Sequence, residues 1–290
     1  MPVGKVCIIM DVQFKNRKIP ILMYHSISQH VAPKFKAFAV PPALFTEHMA
    51  YLHQHAFTPI TVTQFIHALP QNGSVLPERP VILTFDDGFA DFFTHALPIL
   101  RHYSFTATLY VTTAFINGTS RWLQREGEAN RLMLTWEQLC EIRDYGIECG
   151  AHSHSHPQLD TLPPAAVQRE IVQSKEILEE HLESNITSFA YPFGYSTPAI
   201  RQQVRDAGYT SACAVKFALS SVRAASDDPF ALARLLVQPD TNIDTFAALL
   251  RGQGTSVFTK MYLRARTPTW QILRRGSASL TRRLQEVKVQ

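Results

Sequence analysis

Two carboxylates stand side by side in Thr84-Phe85-Asp86-Asp87-Gly88, directly after the aliphatic run Val81-Ile82-Leu83. Like charges that close repel, so a pair stays ionised cheaply only where a cation lies beside it. Asp-Asp-Gly alone would equally serve as a turn, because Asp and Gly supply turn chemistry at no steric cost. A second group of residues weighs against the plain turn. Downstream the chain reads His152-Ser153-His154-Ser155-His156-Pro157, with imidazoles at every second position. Imidazole with carboxylate is a zinc-type donor set, and catalytic sites built from it keep one position for water. His152 and His156 share one side of a strand and of a helix, because a spacing of four suits both periods, whereas His154 shares it only when extended. His152 and His156 are the expected ligands, with His154 nearby but outside the ligand shell.

Elements must deliver these side chains. Residues 81–85 read as a buried strand opening into a turn. Residues 19–27 read as a first strand carrying His25 near its end, and in α/β barrels the chemistry sits at the C-terminal ends of strands. Residues 105–111 alternate and make the next strand. Thr135-Trp136-Glu137-Gln138 is a capping-box pattern, with Leu134 and Leu139 placed as a staple, so a helix runs from there to Gly146 and hands the chain to the histidine strand. Residues 163–182 carry the longest helical pattern. A helix from Pro42 places His48, His53 and His55 on or near its polar face, with no role. Another over residues 89–101 is bent or shortened by Pro98. Residues 112–133 form a long loop with Phe115 and Trp122, of the kind that shapes substrate sites. A strand over residues 186–190 stops at Tyr191-Pro192-Phe193-Gly194. Arg234, a lone charge in the apolar run 233–237, is costly to bury unpaired; it is either a charge partner for Asp86 or an arginine on an edge strand.

Together these residues resemble the polysaccharide deacetylases with the NodB homology domain, carbohydrate esterase family 4. Residues 84–88 are similar to the family's first motif and residues 152–157 to its second. The resemblance runs from about Ile19 to about Leu250. It implies a distorted (β/α) barrel, a divalent, zinc-like ion held by Asp87, His152 and His156, and Asp86 as catalytic base. The Tyr24-His25 segment is similar to one that opens the exopolysaccharide-type branch, where the His replaces a catalytic His found near the C-terminus elsewhere. No Leu-x-His lies near the C-terminal end here, the last histidine being His181. Tyr191-Pro192-Phe193 resembles the third motif, which implies that these residues line the substrate groove and that the Phe193 N–H meets the oxyanion. The arginine of that motif is replaced by Ala190, which is why Arg234 is considered for Asp86. The implied activity is hydrolysis of the N-acetyl amide of a sugar in a glycan or glycolipid. The scaffold also admits an amidohydrolase of small non-sugar amides, or a glycan-binding relative without catalysis.

A chain of 290 residues with 46% hydrophobic composition can bury one large core. We expect an N-terminal extension over 1–18, a catalytic domain over 19–255 and a basic tail over 256–290. Cys7, Cys140, Cys149 and Cys213 form no CxxC pair, and the apolar stretch at residues 6–10 is too short for a signal peptide or a span. A cytoplasmic location is expected, and nucleic acid is not an expected partner. The net charge of +4 is uneven: residues 256–290 hold eight basic side chains and one acidic, a net of +7, leaving −3 on the rest. Leu273, Leu280, Leu284 and Val287 fall among arginines in that tail, which suits peripheral contact with an anionic membrane. Deleting residues 256–290 should therefore lower co-sedimentation with anionic vesicles at low salt while leaving turnover of a soluble short substrate largely intact. Equal sedimentation of both forms would exclude the tail as a membrane contact.

Overall fold

The computed structural model describes residues 14–69, 75–215 and 218–253. Parallel strands dominate, as continuous apolar runs flanked by helical patterns require. The first run is broken by Pro20 into β1 (Lys18–Ile19) and β2 (Ile21–Tyr24), and His25 then separates β3 (Ser26–Ile27) from it. β4 (Ala39–Val40) pairs with β3, and a helix over Pro42–Gln54 leads to β5 (Thr58–Ile60). β6 (Pro80–Phe85) and β7 (Thr108–Val111) are buried at every position. β8 (Glu148–Ala151), β9 (Ser188–Ala190) and β10 (Ser211–Cys213) follow. β11 (Ser220–Ser221) pairs antiparallel with β1, and β12 (Leu235–Leu236) closes the set.

The main sheet runs β10-β9-β8-β7-β6-β2-β12, with β5 also on β6, and its pairings are parallel. It curls into a half-barrel with helices outside, the distorted (β/α) barrel expected. Because the strands are parallel, the residues after β2, β6, β8 and β9 all emerge at one end. Those residues are His25, Asp86, His152 and Tyr191. Among the described residues no helix is long and apolar enough to cross a membrane. The tail over 256–290 lies outside the described residues, as does most of the extension over 1–18.

The Thr135 capping box forms, its hydroxyl accepting from Gln138 N and the Gln138 side chain accepting from Thr135 N. Pro98 acts upstream of itself: residues Phe92–Ala96 form a π-helical stretch before an α-helix over Leu97–His102. A proline has no N–H to give the carbonyl four residues back, and widening the preceding turn relieves the clash.

His48 corrects the sequence reading. It is wholly buried, with Nε2 donating to the Thr241 carbonyl at 2.7 Å and Nδ1 accepting from the Tyr24 hydroxyl at 3.1 Å. Its ring stacks on Phe246 at 4.1 Å. The helix over Ile243–Leu250 covers what would have been a polar face, and a periodicity count on one helix cannot see its neighbour. Burial lowers the His48 pKa from 6.5 to about 4, so the folded state holds it neutral. That contribution is present above 6.5 and is lost as pH falls from 6.5 towards 4, to a limit of about 3 kcal/mol. His48→Leu should cost about 2–3 kcal/mol at pH 7, since it strands two buried polar groups. Its urea-derived stability should also fall less steeply than wild type between pH 6.5 and 4.5. Parallel declines would remove His48 as an acid-sensitive group.

Candidate active site

Asp86 and Asp87 leave the end of β6 in opposite surroundings. Period-two alternation sends Thr84 and Asp86 to the same side of the sheet. Asp87 and Gly88 both adopt left-handed backbone, at φ 79° and 83°, and this turns the Asp87 carboxylate away from that of Asp86. Gly88 is required twice over: its φ disfavours a side chain, and a Cβ there would lie 3.1 Å from Val111 Cγ1.

Asp86 is held by Arg234, which is wholly buried and so no edge-strand surface arginine. Leu235 is in register with Leu22, and Leu22 with Leu83, so Arg234 starts below the level of the carboxylates. Its side chain runs up the barrel interior. Nη1 donates to Asp86 Oδ1 at 2.6 Å and Nη2 to Oδ2 at 2.7 Å, with a further 3.2 Å contact to the Thr84 hydroxyl. Burial pushes the Asp86 carboxyl up, but Arg234 and, less so, His152 outweigh it, and the group lies below its ordinary range.

Asp87, His152 and His156 each turn one donor atom to a common point, the three atoms lying within 4.8 Å of one another. Asp87 Oδ1 is 3.2 Å from His156 Nε2 and 3.5 Å from His152 Nε2. Donors around a tetrahedral ion with bonds of about 2.1 Å sit roughly 3.4 Å apart, so the spacing fits a divalent cation. Two other observations agree. Asp87 Oδ1 is buried without a hydrogen-bond partner among the described residues. His152 Nδ1 donates to the Ala190 carbonyl at 2.8 Å, which fixes the tautomer and leaves Nε2 as a donor atom for a cation. Burial lowers the His152 pKa to about 4. Burial also opposes ionisation of Asp87, but the His156 imidazole beside it reverses this and depresses its carboxyl strongly. His154 faces elsewhere, Nδ1 meeting the Thr113 hydroxyl at 2.9 Å.

His25 lines the same cleft, whose volume is about 270 Å³. Its ring packs on Phe38 at 5.0 Å, and burial, ahead of the opposing pull of Asp87 and Asp86, lowers its pKa. The walls are mainly aromatic, with Phe35, Phe38, Trp122, Phe193 and Tyr195, and Glu126 stands among them. Phe193 is 43% exposed and takes left-handed backbone at φ 57°.

Two expectations about the groove need correction. Tyr191 and Pro192 are buried and do not line the cleft. Tyr191 points into the core, its hydroxyl donating to the Phe230 carbonyl at 3.0 Å, so of the third-motif segment only Phe193 and the residues after it face the cleft. Phe38, Tyr195 and Glu126 had no signal in the sequence, since they are near the chemistry only through the fold. Trp122 had a weak one, its place in a long loop.

A curled parallel sheet that brings an arginine-held carboxylate beside an Asp-His-His donor set defines an α/β-barrel hydrolase. The polysaccharide deacetylase family model matches residues 73–212. The Bacillus subtilis (strain 168) protein YxkH, assigned to the polysaccharide deacetylases, is 29% identical over 238 residues, 81% of this chain and 77% of that protein. The Escherichia coli (strain K12) poly-β-1,6-N-acetyl-D-glucosamine N-deacetylase is 23% identical over 257 residues, 78% of this chain but only 37% of its own length. Among solved structures, the Streptococcus pyogenes deacetylase PplD in complex with acetate superposes with a TM-score of 0.69 at 27% identity, covering 83% of this chain and all of that one. Residues 73–212 thus match the polysaccharide deacetylase family, and the fold is that of the solved polysaccharide deacetylases.

Removing Arg234 alone would leave the Asp86 carboxylate buried and uncompensated. Arg234→Met should cost about 3–5 kcal/mol in urea unfolding, and adding Asp86→Asn should restore part of it. A double variant as unstable as Arg234→Met would mean that the arginine acts on stability mainly through packing.

Proposed function

We propose that this cleft hydrolyses the N-acetyl amide of an N-acetylated sugar unit in a glycan or glycolipid and releases acetate. One observation carries the reading: Asp86, an ionised carboxylate gripped by Arg234, stands beside the Asp87-His152-His156 set, with His25 lining the same cleft. The names of the relatives support the sugar amide, since that of the Escherichia coli protein specifies N-acetyl-D-glucosamine in a β-1,6 polymer. The aromatic walls support it too, because sugar rings offer apolar faces to aromatic side chains.

Asp87, His152 and His156 would hold the divalent cation, zinc by the character of the donor set. When bound, such an ion lowers the pKa of a water towards neutrality and polarises the amide carbonyl. Asp86 takes the proton of the attacking water, and Arg234 keeps it ionised and aimed, in place of the arginine that Ala190 replaces. The Phe193 N–H stabilises the oxyanion. His25 gives a proton to the departing nitrogen, which an amide needs because an amine anion is a poor leaving group. We place the reaction in the cytoplasm or at its membrane face.

Asp86→Asn should abolish acetate release from N-acetylglucosamine oligomers yet keep bound metal near wild type, whereas Asp87→Ala should lose the metal. His25→Ala should cut kcat on the amide about 10²–10⁴-fold and cut it less on an acetate ester of the same sugar. Loss of metal from Asp86→Asn would reverse the two aspartate roles. Release from small acyclic amides but from no sugar would move the substrate class.

A further inference from the structure

Among the described residues His25 has no hydrogen bond that orients its ring. Its Nδ1 is buried with no partner among the described residues, and its ring touches Phe38 edge-on. A side chain with so little directional contact points where its backbone points, and the backbone just after it is clamped. Asp91, half-buried beside this segment, accepts from the Ser26 hydroxyl at 2.6 Å and from Ile27 N at 3.0 Å. The neighbouring His95 Nδ1 lies 2.9 Å from the Ile27 carbonyl.

The clamp has a second jaw. Arg131 Nη1 donates to Asp91 Oδ2 at 2.9 Å and to the Ser26 hydroxyl at 3.2 Å, while Nη2 donates to the His30 carbonyl at 3.2 Å. Arg131 Nε donates to Glu128 at 3.1 Å, and Glu128 in turn accepts from Ala32 N. Arg131 and Glu128 belong to the long loop that also supplies Trp122 and Glu126 to the cleft wall. One partly buried network thus ties the strand after His25, the segment after the two carboxylates, and the wall loop.

We propose that Asp91 and Arg131 are positioning residues that set the aim of His25 at the leaving nitrogen. The inference rests on the assignment of His25 as the acid. Asp91→Asn is the sharpest probe, because an amide oxygen still accepts from Ile27 N but the NH2 cannot accept from Ser26 or Arg131.

A displacement of about 1 Å at a reacting group costs on the order of 10²-fold in rate. We therefore expect Asp91→Asn to lower kcat on the N-acetyl amide by about 10–10²-fold, with a smaller loss on the acetate ester and with metal content unchanged. In a His25→Ala background the same substitution should lower amide kcat no further, since an absent acid cannot be misaimed. Equal losses in both backgrounds, or equal losses on amide and ester, would overturn the proposal and leave Asp91 a structural residue. Should Asp91→Asn not fold, Arg131→Gln carries the same cycle. His25→Ala alone reports on the acid itself: if it lowers amide and ester equally, the acid assignment fails and this inference falls with it. A normal His25→Ala result with an additive cycle removes only the clamp.

Discussion

Two adjacent, buried carboxylates are the constraint around which the barrel is arranged. Each alone would be driven to its neutral form by desolvation, and side by side they would drive each other further. The fold separates them with one left-handed residue and gives each a different compensation. Asp86 receives a planar guanidinium that satisfies both oxygens; Asp87 receives two imidazoles. The difference is chemical as well as electrostatic. A carboxylate gripped by a bidentate arginine stays ionised and fixed, ready to take a proton, whereas one with an unpartnered oxygen facing two ring nitrogens is arranged to share a cation.

That separation is bought with strain. Asp87, Ser153, His156 and Phe193 all adopt left-handed backbone without being glycine, a conformation that costs on the order of 1–3 kcal/mol at a functional site. They cluster at the end of the barrel where β6, β8 and β9 stop. Ser153 also braces this turn, its hydroxyl accepting from His156 N at 3.0 Å. Parallel strands make such a cluster possible, because every crossover returns the chain to the same end with its direction unchanged.

The sequence was most legible where chemistry and local structure coincide. The paired aspartates and the spaced histidines follow short strands, and the Thr135 capping box marks its helix start without ambiguity. It was silent where partners are distant. Arg234 lies 148 positions from Asp86, and only its anomaly, a charge among aliphatic residues, hinted at a buried partner. Arg131 and Asp91 gave no such hint, since an arginine in a polar loop and an aspartate after a turn both read as solvated. Tyr191 misled for a related reason: a motif fixes which residues are adjacent, but alternation along β9 decides which of them face the cleft, and its hydroxyl is consumed by Phe230 in the core.

The charge state of the donor set bears on how the site is filled. Metal ligands must be deprotonated, and a site that holds its protons tightly binds a cation only by releasing them. Here burial keeps His152 neutral down to about pH 4, and His156 outweighs burial at Asp87 to hold its carboxyl well below the carboxylate range. The Ala190 carbonyl fixes the one His152 tautomer that leaves Nε2 bare. At neutral pH His152 and Asp87 therefore stand in the protonation state and orientation that a divalent cation requires. The barrel has met the cost of that arrangement in folding, through desolvation, backbone strain and the buried arginine, so little reorganisation is left for the binding step.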